Sequence, residues 1–315
     1  MDTFGFNQAA VILITETRGV TIKNITVDGI NNAVKCAETE EEFLGLEGIL
    51  VLFASAKLDS VVIKNILSPG GCAFGFAIDY QSGDRRAHLT VSNSSIHDYD
   101  IAGLFAAGSQ NTLHAIRNVI TGLGATSLGQ VGIQIFSGTT GVIEENIITN
   151  HLFTPCSPDD CGFVSHGIGV FETADVRIVR NIVGSANTGI VVGIPILLAN
   201  RVKVVGNRVF DSQVFNGILV SGENNILKDN NITNSDNAAV LLTSGHNSVR
   251  DNTINEAAIG LLVAPGNKLS DNRFFNTSVV QELFDLGLPL ASSQQALSSG
   301  TTVRSVLRKR LRSPQ

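Results

Sequence analysis

The stretch "VGIQIFSGTTGVIEENIITN", residues 131–150, holds the two signals on which the fold turns. It opens with a glycine leading an apolar alternation, passes through a Ser, Gly and Thr cluster, and closes on Asn146 between polar and apolar residues. Alternation over a few residues is strand periodicity, and Gly, Ser and Thr punctuate it. Both signals recur outward in each direction. The Gly-led element returns as "EGILVLF" from 47, "FGFAID" from 74, "AGLFAA" from 102, "HGIGVF" from 166, "TGIVVG" from 188, "NGILVS" from 216 and "IGLLVA" from 259. "AAVLLT" from 238 fits with Ala239 in the glycine's place. The second element reads "VIKNIL", "AIRNVI", "IEENII", "IVRNIV", "VVGNRV", "LKDNNI", "VRDNTI" and "LSDNRF". Its asparagines are Asn65, Asn118, Asn146, Asn181, Asn207, Asn230, Asn252 and Asn272, with Ser94 filling the one gap.

A repeat of 20 to 35 residues carrying two or three short strands means a parallel β-helix, because one such coil cannot bury its apolar side alone. With "GVTIKNITV" (19–27) as an incomplete first turn, about ten coils are expected. Stacked at the inter-strand spacing, they make a rod about 45–50 Å long. The asparagine column is read as structural. Each corner leaves backbone groups unpaired, and an amide side chain offers both donor and acceptor to them and to the next coil's asparagine. Asn225, outside the column, is expected on the surface. The predicted organisation is a β-helix over 1–277, a covering or capping segment over 278–290, and a disordered basic tail over 291–315, rich in Ser, Gln and Arg.

Composition agrees with an all-β chain: 31 Gly, no Trp, one Met and 16% charged residues leave little material for helices. The net charge of −6 understates the acidity of the body, because the last fifteen residues carry five cations and no acid. An acidic body is a poor nucleic-acid binder, so no nucleic-acid partner is expected. No apolar run reaches the roughly 18 residues of a membrane span. "AAVILI" (9–14) is too short for a signal-peptide core and lacks a basic flank, so a secreted form would need a leader outside this sequence.

These coils resemble the right-handed parallel β-helix proteins of the pectate-lyase-like superfamily, in particular its asparagine-ladder, secreted bacterial members. The resemblance covers about residues 15–277 and is carried by stretches such as "LTVSNSSIHDY", "NGILV" and "NTINEAAIGLLV". It implies a single right-handed solenoid in an extracellular setting. It does not fix an activity, since the superfamily holds lyases, hydrolases, epimerases, tailspikes and adhesins.

Galacturonase-type hydrolases of that superfamily carry an Asp, an Asp-Asp pair and a Gly-His-Gly on neighbouring coils, followed by Arg-x-Lys. "PDDCG" and "SHGIG" imitate the middle two, but Asp160 and His166 lie six residues apart within one coil. "RVK" (201–203) arrives 35 residues after His166. No complete catalytic constellation is present. Asp159, Asp160 and His166 are therefore candidates for ligand contact only, set against a solvated acidic turn. Cys156 with Cys161, and Cys36 with Cys72, are expected to form disulfides in an oxidising compartment; reduced thiols or a zinc site are the alternatives.

The outward side of the Gly-led strands is expected to carry Leu50, Ala77, Phe105, Gln134, Gly169, Val191, Leu219, Leu241 and Leu262. This mostly apolar stripe should be covered, by the 278–290 segment, by self-association, or by a piece outside this sequence. The residue before each ladder asparagine is charged. Arg117, Glu145 and Arg180 should pair across coils, whereas Asp229, Asp251 and Asp271 read as solvated turn acids. Those three are the one place for Ca2+, without a clear ligand set, and no metal or other cofactor is expected. The favoured function is a polysaccharide-associated binding or surface protein. A lyase, hydrolase or epimerase with a site in the long middle loops, and a structural or adhesive rod, are the alternatives.

Overall fold

The computed structural model describes residues 7–32, 44–68, 74–155 and 165–283. Every strand ladder between coils is parallel, and among the described residues there is no helix. The chain is a right-handed parallel β-helix. Its ten coils are counted by one sheet of ten strands, from Val20–Lys23 through Thr140–Glu144 to Lys268–Ser270, called here the third face. The Gly-led strands, such as Ala102–Ala107, Val131–Phe136 and His166–Val170, form the first face. Strands following the ladder asparagine, such as Val119–Thr126 and Ile147–Phe153, form the second. In the last three coils the second and first faces join in single strands, Asn231–Leu242, Thr253–Val263 and Arg273–Leu283. Pairing runs on through Val279↔Ile259 and Leu283↔Val263, so the helix reaches at least Leu283 rather than ending at 277. Residues 284–315, with the tail expected to be disordered, lie outside the described residues.

The interior is a continuous column of Ile, Val and Leu from all three faces, including Ile49, Leu104, Ile133, Ile148, Ile178 and Val204, each fully buried. The repeated glycine has a packing cause. A Cβ on Gly103 would stand 2.6 Å from Ile120 Cγ2 and 2.8 Å from the carbonyl oxygen of Gly132. Gly132, Gly167, Gly189 and Gly217 meet Ile148, Val183, Val209 and Ile232 in the same way. The strand bends inward there, and only the smallest residues let it approach the second face.

The asparagine ladder lies at the corner between third and second faces. The Asn118 N–H donates to Asn146 Oδ1 at 2.9 Å, and Asn146, Asn181, Asn207, Asn230 and Asn252 repeat the bond to the next coil, ending on Asn272. Each Nδ2 reaches back to a carbonyl, as Asn146 does to Ala115 at 2.9 Å. Ser94 stands in the column and receives the Val61 N–H on its Oγ. Val61, not Asn65, therefore holds the ladder position in the second coil. Asn65 lies one corner later, at φ 58°, with its Nδ2 on Asp28 Oδ1 at 2.8 Å.

A second ladder occupies the corner between first and third faces. The Val202, Asn225 and Asn247 N–H groups donate in turn to Asn225, Asn247 and Asn267 Oδ1 at 2.8–2.9 Å. Asn225 is fully buried, contrary to the expectation that it sits on the surface. Of the residues before the first ladder, Arg117, Glu145, Arg180, Asp229, Asp251 and Asp271 have φ between 54° and 60°, and Asn93 and Gly206 have φ 52° and 67°. That left-handed turn aims the following N–H along the rod at the next coil's amide.

Candidate binding face

The register fixes what the first face presents outward. Leu50 pairs with Asp79, Asp79 with Phe105, Phe105 with Gln134, and Gln134 with Gly169. Asp79, not Ala77, thus stands in the outward row. Ala77 is an interior residue in the glycine column, two places after the Gly75 that the sequence pattern had selected. The neighbouring rows add Glu47, Phe76 and His166 on one side and Gln81, Phe136 and Phe171 on the other.

This outward surface has two halves of different chemistry. Over the early coils, aromatic rings alternate with polar groups. Phe76 and Phe105 meet edge to face with centroids 5.7 Å apart, and both are half-buried, as are Gln134 and Phe136. Beside them Asp79, 2% exposed, accepts a 2.6 Å hydrogen bond from Gln81 Nε2, and Glu47 is fully buried. The expectation of a mostly apolar face fails in this half because Glu47, Asp79 and Gln81 point outward.

From the seventh coil onward the row is apolar: Val191, Leu219, Leu241 and Leu262 form a cluster with Phe171, Ala238, Ile259 and Ala264. These residues are at most 8% exposed within one chain, with Ile194 and Leu197, of the turn that leads from the first face to the third, packed against them. The side chains of this half of the stripe are already out of water in a single copy.

His166 opens the strand His166–Val170 on the outward side, 3% exposed, with its ring 5.6 Å from Phe171. Its Nε2 lies where a Cβ on Gly169 would be, so Gly169 is what lets the imidazole lie flat on the strand. The structure brings His166 together with Phe171. Asp159, Asp160, Cys156, Cys161, Cys36 and Cys72 lie outside the described residues, and so do the expected disulfides.

Beneath this face sits a polar set that the sequence pattern does not reveal. The Tyr99 hydroxyl is bonded to His151 Nε2, both side chains being fully buried. Gln130 Nε2 donates to the Tyr99 carbonyl at 3.1 Å and its Oε1 accepts from the Leu123 N–H at 2.9 Å. Burial, with a smaller contribution from the charge of His166, pushes the His151 imidazole down to about 3, and burial drives the Tyr99 phenol well above its ordinary value. Burial also raises the Asp100 carboxyl, against the Ser68 N–H that donates to it at 2.6 Å. The neutral His151–Tyr99 pair braces the corner from which the Gly-led strands start.

On the rod's flanks, Arg180 bridges Glu144 and Glu145, and Arg117 lies 3.6 Å from Glu145. Asp229 pairs with Lys228 and Asp251 with Arg250. Arg85, in the "GDRRAH" loop, stacks 5.1 Å over Phe53 and lies 3.6 Å from Glu16.

A family model described as periplasmic copper-binding protein (NosD) matches residues 156–283, less than half of the chain. No curated protein is a significant match. Among solved structures, a mutant of the periplasmic alginate epimerase AlgG is 14% identical, with a TM-score of 0.47, over 86% of this chain and 69% of its own. The A-module of the Azotobacter vinelandii mannuronan C-5 epimerase AlgE4 is 13% identical, with a TM-score of 0.46, over 91% and 79%. PfbA, a surface adhesin of Streptococcus pneumoniae, is 11% identical, with a TM-score of 0.41, over 89% and 86%. Copper sites draw on Cys, Met and His donors. Among the described residues no three His, Cys, Asp or Glu side chains converge, and the His166 ring lies against Phe171 and Gly169. By its own strand ladders the chain is a right-handed parallel β-helix.

Proposed function

We propose that this is a secreted or periplasmic protein that binds a linear polysaccharide across the outward side of the first face, over its third to sixth coils. The observation that carries this is the row of half-buried Phe76, Phe105 and Phe136 with the Gln134 amide among them. Phenyl faces stack on the C–H surface of a sugar, and fixed amides orient its hydroxyls, the mixture of apolar wall and few polar groups that small-molecule sites use. Coils about 4.8 Å apart give a ladder of such groups along the rod.

The rings of Phe76, Phe105 and Phe136 and the Gln134 amide carry no charge, so the preferred ligand is an uncharged polysaccharide. A glycan array with wild type and the Phe105→Ala variant tests this. The expected result is signal on neutral linear glycans, falling at least about tenfold in the variant, the scale of losing one buried aromatic anchor. Binding only to polyuronates, or equal binding by the variant, would reject the reading.

A further inference from the structure

We propose that His88 and His114, on the outer side of the third face, form a binding site for a late first-row divalent transition-metal ion. The two residues stand on adjacent paired strands, Ala87–Ser92 and Asn111–Ile116, where Thr112 pairs with His88 and Thr90 with His114. Both rings are half-buried and face outward, with centroids 4.7 Å apart and planes at 87°. Two imidazoles that bind one ion at about 2.0–2.1 Å in neighbouring positions place their ring centres about 4.5–5 Å apart.

The hydrogen bonding fits the same use. His88 Nε2 lies 2.9 Å from Thr90 Oγ1. With Nε2–H donating to that hydroxyl, the lone pair of Nδ1 is left to meet an ion. A ligating histidine almost always donates its other ring N–H in this way, which fixes its tautomer and orientation. Imidazole donors favour copper, nickel and zinc over magnesium or calcium.

Two ligands leave the remaining positions to water, so the site is open on its solvent side. Lys57, registered beside Thr90 on the preceding coil, is a cation of this face with an exposed side chain. The site lies outside residues 156–283 and on a different face from the proposed polysaccharide surface, so either proposal can fail alone.

Cu2+ and Zn2+ titrated into the full chain by calorimetry, with the Cu2+ spectrum read by electron paramagnetic resonance, test it. One ion should bind with the splitting of two equatorial nitrogens. His88→Ala and His114→Ala should each weaken binding at least about tenfold, while His246→Ala, on a distant turn, should change nothing. Thr90→Val should weaken it about tenfold, the scale of losing a ligand's supporting partner, and Thr90→Ser should restore it. Wild-type affinity and an unchanged two-nitrogen spectrum in the folded His88→Ala/His114→Ala double variant would overturn the proposal, as would a wild type that binds neither ion.

Discussion

Replacing Asn146 by Ala isolates what a ladder amide contributes. Its Oδ1 accepts the Asn118 N–H and Nδ2, and its own Nδ2 donates to the Ala115 carbonyl and to Asn181 Oδ1, all at 2.9 Å, in a side chain that is fully buried. Truncation strands the Asn118 N–H and the Ala115 carbonyl, two backbone groups with no water in reach. At about 1–3 kcal/mol for each stranded group, the loss is about 3–5 kcal/mol once partial relaxation is allowed for. Asn225→Ala strands one N–H, of Val202, and one carbonyl, of Ala199, and breaks no amide–amide bond, so a smaller loss of about 2–4 kcal/mol follows. Asn231, exposed on the second face, is the surface control and should change stability by less than about 0.5 kcal/mol. Urea unfolding followed by far-ultraviolet circular dichroism measures all three, with an unchanged slope showing that the same cooperative unit unfolds. Coincident midpoints for Asn146→Ala and Asn231→Ala would refute the ladder argument.

Other perturbations probe separate parts of the rod. Gly103→Ala should destabilise by about 1–3 kcal/mol, because its Cβ meets Ile120 and the Gly132 carbonyl, and unfolding midpoints close to wild type would show that the corner has slack. His151 is neutral in the fold down to about pH 3 but titrates at its ordinary value once unfolded, so the unfolded chain binds the extra proton between those limits. Its contribution is complete above about pH 6.5 and is lost as pH falls, by about 2–3 kcal/mol between pH 6 and 4. His151→Gln should flatten that part of the stability–pH curve, and an unaltered curve would contradict the buried neutral imidazole. Arg180→Ala, which breaks only exposed ion pairs, should shift the unfolding midpoint little, and less still in high salt.

The solenoid was legible because its signals are periodic. Every coil repeats the same contact between a Gly-led strand and the second face, so the pattern in residues 131–150 is restated along the chain. Errors arose where one coil departs from the period. Asn65 follows an apolar-polar run like its counterparts, yet Val61 already holds the ladder position, and only the hydrogen bond from Val61 to Ser94 shows it. Gly75 imitates the glycine column, whereas Ala77 occupies it, and that two-residue slip moves Asp79 one row over, into line with Leu50 and Phe105. The second ladder leaves little trace in the sequence because Asn225, Asn247 and Asn267 mark only the last coils. Tyr99, Gln130 and His151 come from three coils without a shared spacing, and no one-dimensional pattern could have gathered them.

Hydroxyl-radical footprinting of the phenylalanines, with and without the glycan that the array selects, tests the binding face most directly. Phe76, Phe105 and Phe136 are accessible on the first face, while Phe210 on the second face and Phe275 on the last coil are internal controls. The account predicts protection of the first three by bound ligand and unchanged reactivity at Phe210 and Phe275. Protection centred on Phe210 or Phe275, with Phe105 and Phe136 still reactive, would place the ligand on another face and contradict it.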